Sequence, residues 1–115
     1  MKIEESKLNE IKSQLENLGI FDNKDKSGSY LISQGFGWGE SDYIIRKLKV
    51  GSRINRKSNN EVMVDYFIEN DNHSQEGFIN YLNDNIEGID DEKSKKYKSS
   101  YYNILKYMFD KMKSN

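Results

Sequence analysis

The chain has 115 residues, with 18 Lys and Arg against 19 Asp and Glu, a formal net charge of −1 and no cysteine. A chain of this length closes around one core, so a single domain over residues 1–115 is expected. The missing cysteines exclude disulfides, thiolate metal sites and cysteine nucleophiles, and one histidine is a poor basis for a zinc site. Eight Tyr and five Phe must carry much of the burial, because only 35% of the residues are hydrophobic.

The N-terminal run Met1-Lys2-Ile3-Glu4-Glu5 is acidic and amphipathic, unlike the positive stretch that leads into the apolar run of a secretory signal. No stretch approaches the ~18 apolar residues of a membrane span, so a cytoplasmic protein that meets no membrane is expected. Abundant Lys, Asn, Ile and Tyr with no Ala, Pro or Thr fits the AT-rich coding sequence of low-GC bacteria, their phages and mobile elements.

Ile3, Leu8, Ile11, Leu15 and Leu18 recur at helical spacing, predicting an amphipathic helix over residues 3–18 that ends at Gly19 with a left-handed cap and Ile20 folded back. Residues 22–28 carry no apolar anchor and predict a loop. Tyr30, Ile32, Phe36 and Trp38 then alternate with polar or glycine positions, predicting a strand over 29–38. A second strand is predicted over 42–50 from Ile44, Leu48 and Val50. A third covers 61–69, with Val62, Val64, Tyr66 and Ile68 inward. Ser58-Asn59-Asn60 reads as the turn of a hairpin between the last two.

Helical spacing returns through Phe78, Ile79, Leu82 and Ile86, with Ser74 as N-cap and Gly88 as stop. After Asp90 or Asp91 as cap, a final helix presents Tyr97, Tyr101, Ile104, Leu105, Met108 and Met112 on its core face. The predicted architecture is a two-layer α+β domain of order α-β-β-β-α-α, a three-stranded antiparallel sheet packed by helices.

The charge distribution is lopsided. Arg46, Lys47, Lys49, Arg53, Arg56 and Lys57 follow one another with no acidic residue between them, on what the pattern predicts to be a projecting β-hairpin. Such a ribbon could track a phosphate backbone or meet an acidic protein surface. Gly35-Phe36-Gly37-Trp38-Gly39 places two rings beside flexible backbone, which reads either as an interface hot spot or as a twisted strand end that packs Trp38 into the core. As a phosphate cradle it is a poor match, because no helix is evident after the glycines and the P-loop Lys-Ser/Thr is missing.

Other candidates are weaker. His73 follows Asp71, yet no positioned nucleophile accompanies the pair, so it reads as one more polar residue before a helix. The acidic run Glu87–Glu92 lacks the alternating ligands of a calcium loop and fits the start of a helix. Lys93, Lys95, Lys96 and Lys98 read as a solvated face of the final helix.

In element order and size the chain resembles some small phage-encoded anti-CRISPR proteins, which act by occupying a nuclease surface. Toxin-immunity proteins are a comparable small intracellular class. The expected function is therefore a non-enzymatic inhibitor or adaptor that binds another protein through Phe36, Trp38 and the 46–57 segment, with no catalytic residue, metal or cofactor. The alternatives are a nucleic-acid-binding protein using that same segment, and a small binder or sponge for a phosphorylated ligand in which Arg46 or Arg53 meets the phosphate.

Overall fold

The computed structural model describes residues 3–52, 57–88 and 95–113. Among them every regular element is helical: α1 (Glu5–Asn17), α2 (Lys24–Ser33), α3 (Trp38–Leu48), a single 3₁₀ turn (Val50–Ser52), α4 (Asn59–Glu69), α5 (Gln75–Asn85) and α6 (Lys95–Lys113). The expected α+β fold with its three-stranded sheet is overturned. With it fall the β-hairpin over 46–57 and the similarity in element order to anti-CRISPR proteins.

Helices α1–α3 form one compact unit and helices α4–α6 another. In the first, Ile11 and Leu15 of α1, Leu31 of α2, Tyr43, Ile44 and Ile45 of α3 and the following Val50 make the core. α1 ends as its sequence signals, with Gly19 at φ +70°, its N–H on the Glu16 carbonyl and the Ile20 N–H on the Leu15 carbonyl, both at 3.0 Å. The stretch predicted as a loop begins α2 instead. Asn23 caps it by accepting from the Lys26 N–H at 3.0 Å, and Ser27 is buried because its hydroxyl donates to the Ile20 carbonyl at 2.6 Å. A satisfied serine thus supplies the anchor that no apolar residue does.

Each predicted strand fails for a stated reason. Over 29–38 the alternation spans too few residues to separate period 2 from period 3.6; Leu31 is buried and Ile32 half exposed, the reverse of the predicted faces. Tyr43, Ile44, Ile45 and Arg46 are buried consecutively, which no half-exposed strand allows and a deeply packed helix does. At α4, Val62/Tyr66 and Val64/Ile68 also stand four apart, so the predicted strand face matches helical neighbours equally well. Helix nucleation there comes from a capping box. Ser58 Oγ accepts from the Glu61 N–H at 3.2 Å, while Glu61 Oε1 accepts from the Ser58 N–H at 2.9 Å.

The second unit packs around Phe67, which is fully buried on α4. Its ring stacks on Phe109 at 5.2 Å and lies 5.7 Å from Phe78, 5.8 Å from Tyr102 and 4.5 Å from His73. The α4–α5 junction is tied beside it. Tyr66 Oη accepts from the Ser74 N–H at 3.2 Å and donates to the Ser74 carbonyl at 3.3 Å. Gly77 makes room for that phenol, since a Cβ there would lie 2.7 Å from Tyr66 Oη and 2.9 Å from Ser74 Oγ.

The final helix turns a different side inward from the predicted one. Lys98, Tyr102 and Phe109 are buried, with Leu105 half-buried between them, whereas Tyr97, Ile104, Met108 and Met112 are exposed. The Phe67 and Phe78 rings select the Tyr102/Phe109 side because aromatic pairs add about 0.5–1.5 kcal/mol each beyond their burial. Lys98 is drawn inward with it, and its ammonium donates to Asn83 Oδ1 at 2.8 Å.

Two stability measurements check this packing. Urea unfolding of Phe67→Ala should show a loss of about 3–5 kcal/mol, the range for emptying an aromatic core site. Gly77→Ala should lose about 1–3 kcal/mol from crowding against Tyr66 and Ser74, although alanine at a permissive helix position would gain about 1 kcal/mol.

Candidate functional site

Between α2 and α3 the chain reverses through Gly35, whose φ of +98° suits glycine alone, and the Phe36 N–H closes the turn on the Leu31 carbonyl at 3.2 Å. Gly37 then enters α3 in extended conformation, its N–H donating to Glu40 Oε1 at 2.9 Å. That bond fixes the first turn of α3 and holds Trp38 at its first position. Phe36 is half-buried, whereas the Trp38 side chain stands 83% exposed, although it is the single tryptophan in a chain short of apolar residues.

Beside Trp38 lies a cleft of about 340 Å³ between α2 and α3. Its apolar lining is Gly28 and Ile32 from α2 and Ile45 from α3, with Ile32 itself half exposed. Gly28 keeps the lining open, as a Cβ there would already touch Ile45 Cδ1 at 3.4 Å. Lys24 and Asp25 stand at the α2 end, and Ser41 and Asp42 line the α3 side. Ser41 Oγ is buried and finds no hydrogen-bond partner among the described residues, at a cost of about 1–3 kcal/mol.

The basic segment is placed very differently from a projecting ribbon. Arg46 is 2% exposed, its Nε donating to Asp42 Oδ2 at 3.0 Å one turn back and its guanidinium 5.9 Å from the Tyr43 ring centre. Lys47 is exposed, with its ammonium 5.6 Å from the centre of the same Tyr43 ring. Lys49 is exposed and ends α3 in the left-handed region at φ 56°. Lys57 is half-buried; Arg53 and Arg56 lie outside the described residues. Cations at 46, 47 and 49 thus gather where the carbonyl end of a helix dipole favours them.

The glycine-rich stretch does precede a helix, contrary to the sequence expectation, but the Glu40 carboxylate occupies that helix N-terminus and is itself nearly buried. An incoming phosphate would meet a negative charge there. His73 is likewise committed to the fold. Its Nε2 faces the carbonyls of Phe67 and Asn70, so that nitrogen carries the hydrogen, and its own carbonyl accepts from Tyr102 Oη at 3.2 Å. No group of three potential metal ligands occurs among the described residues, and no described helix is long and apolar enough to cross a membrane.

Of the residues singled out from sequence, the structure brings Trp38 to a cleft and leaves Arg46 inside a helix-borne ion pair. Gly28, Ile32, Ser41 and Ile45 escaped the sequence reading. Their signal was the i, i+4 pairs Gly28/Ile32 and Ser41/Ile45, visible only once both segments are taken as helices. Comparison with protein-family models, with curated proteins and with solved structures finds no match for this chain.

Charge reversal separates the two kinds of residue. Arg46→Glu should cost about 3 kcal/mol or more in urea unfolding, because it sets two carboxylates one turn apart and leaves a charge buried without its partner. Trp38→Ala should change stability by no more than about 0.5 kcal/mol, as at other exposed positions.

Proposed function

We propose that this chain is a non-enzymatic intracellular protein-binding module, acting as an inhibitor or adaptor, whose primary contact is the Trp38 cleft of α2 and α3. The observation that carries the proposal is the exposure of Trp38, 83%, next to half-exposed Ile32 and an open apolar lining. Tryptophan is enriched among the residues that dominate binding energy at interfaces, and an exposed ring beside a groove is a surface that gains by being covered.

The cleft also describes its partner. An apolar anchor would fill the space over Gly28, Ile32 and Ile45. Mixed charges at Lys24, Asp25 and Asp42 suit a protein surface better than a polyanion. The nucleic-acid and phosphate-sponge alternatives draw less support, because the arginine nearest the glycine stretch is buried on Asp42 and the helix N-terminus is filled by Glu40. Contact of this kind asks no catalytic group of the chain. An intracellular setting is consistent with the absence of cysteine.

The test is affinity capture from a low-GC bacterial lysate with mass spectrometry, followed by titration of the captured protein. Trp38→Ala should weaken that binding thirtyfold or more, the equivalent of about 2 kcal/mol at a hot spot, with an unchanged thermal melt. Equal capture by wild type and Trp38→Ala would refute the proposal, and salt-sensitive binding of a nucleic-acid probe in its place would favour the alternative.

A further inference from the structure

The Trp38 face carries both halves of a contact. The chain reverses between α2 and α3, so Ile32 and Trp38 stand at the turn end of the cleft, with Gly28 and Ile45 about 10 Å along it. Trp38 does not fill the cleft itself, because its side chain is 83% exposed. The floor stays open because residue 28 is glycine, with no side chain over Ile45 Cδ1. An anchor and a recess therefore lie side by side.

Their sizes match. A dry cavity of about 150 Å³ holds a benzene ring, so a cleft of about 340 Å³ has room for the two fused rings of an indole. A two-fold axis across the middle of the cleft sets each copy's Trp38 over the other copy's Gly28 and Ile45. That operation closes on itself, and both anchors and both recesses are used.

The charges permit this pairing. Lys24 and Asp25, at the receiving end, are adjacent and of opposite sign, and Asp42 in the middle is paired with Arg46 at 3.0 Å. Two copies face to face thus set no bare like charges against each other, and the whole chain carries a formal net charge of only −1. A surface of one sign would instead select a partner of the other. The incoming indole meets Lys24, whose ammonium is a favourable neighbour for an aromatic face.

We infer that the free chain pairs with a second copy of itself through this cleft, and that the pairing masks Trp38 until a target displaces it. This deepens the proposed function and rests on its reading of the Trp38 cleft as a contact surface. Two indoles of about 150–250 Å² each, with Ile32 beside them, fall well short of the ~1,200 Å² of a stable interface. The pair is therefore weak, with a dissociation constant of about 10 µM to 1 mM. A weak pair suits a resting state that a tighter target can open.

The experiment uses the full chain and reads its single tryptophan. From about 1 µM to about 2 mM chain, a span that brackets those affinities, sedimentation equilibrium should move from the mass of one chain to that of two. Trp38 emission should shift to the blue with the same midpoint. Trp38→Ala should stay monomeric. So should Gly28→Leu, which fills the recess; its emission should stay unshifted at every concentration while its circular-dichroism melt equals or exceeds that of the wild type. Mixing the two variants restores one anchor to one recess, so excess Trp38→Ala should shift the Gly28→Leu emission part of the way to the blue, a result that misfolding cannot produce. A wild type that remains monomeric, a Trp38→Ala variant that still pairs, or a mixture without the shift overturns the inference. A monomeric wild type together with Trp38-dependent capture from the lysate removes this inference and leaves the proposed function standing. Trp38-dependent pairing with capture that ignores Trp38 does the reverse.

Discussion

The burial of Arg46 against Asp42 is the constraint on which the organisation of the α1–α3 unit turns. Removing a guanidinium from water costs several kcal/mol unless an opposite charge and hydrogen bonds replace the water. Asp42 stands one helical turn away and supplies both at 3.0 Å. The pair exists only if residues 42–46 are helical, because in a strand the two side chains would lie two pleats apart. Helix, ion pair and the consecutive burial of Tyr43, Ile44 and Ile45 are therefore one fact, and the local excess of positive charge is partly a core feature.

Polar satisfaction plays the same part elsewhere. Ser27 enters the core by donating to Ile20, Glu40 by receiving the Gly37 N–H, and Lys98 by donating to Asn83. In the α4–α6 unit, His73 and Tyr66 close the α4–α5 junction with main-chain bonds, while Phe67 collects the rings around it. The interior thus joins rings, and long or polar side chains whose heads are tied down, to its buried aliphatic residues. Against such economy, apolar groups left in solvent carry information. Trp38 with Ile32 forms one such place, and the outer seam of α6 forms another.

The two surfaces have different chemistry. At the α2–α3 cleft a single large ring stands beside a small recess with mixed charge, a shape suited to one anchoring side chain. On α6 the outer side leaves Tyr97, Ile104, Met108 and Met112 in solvent along the length of the helix. Neither requires the chain to perform a reaction. Both fit a small protein that works by contact.

Several features were legible before any tertiary contact is considered. The lack of cysteine rules out disulfides, the Gly19-Ile20 ending of α1 follows from glycine's access to positive φ, and Ser74 caps α5 through the Gly77 N–H. The Ser58–Glu61 capping box was also present in the sequence, but β-branched and aromatic residues after it argued for a strand. Helix against strand in 29–50 and 61–69 was decided by tertiary structure, because over five to eight residues positions four apart satisfy period 2 and period 3.6 alike. The inward side of α6 was decided in the same way. Its two apolar stripes are equivalent in isolation, and only the position of Phe67 and Phe78 on the neighbouring helices determines which is buried and which remains outside.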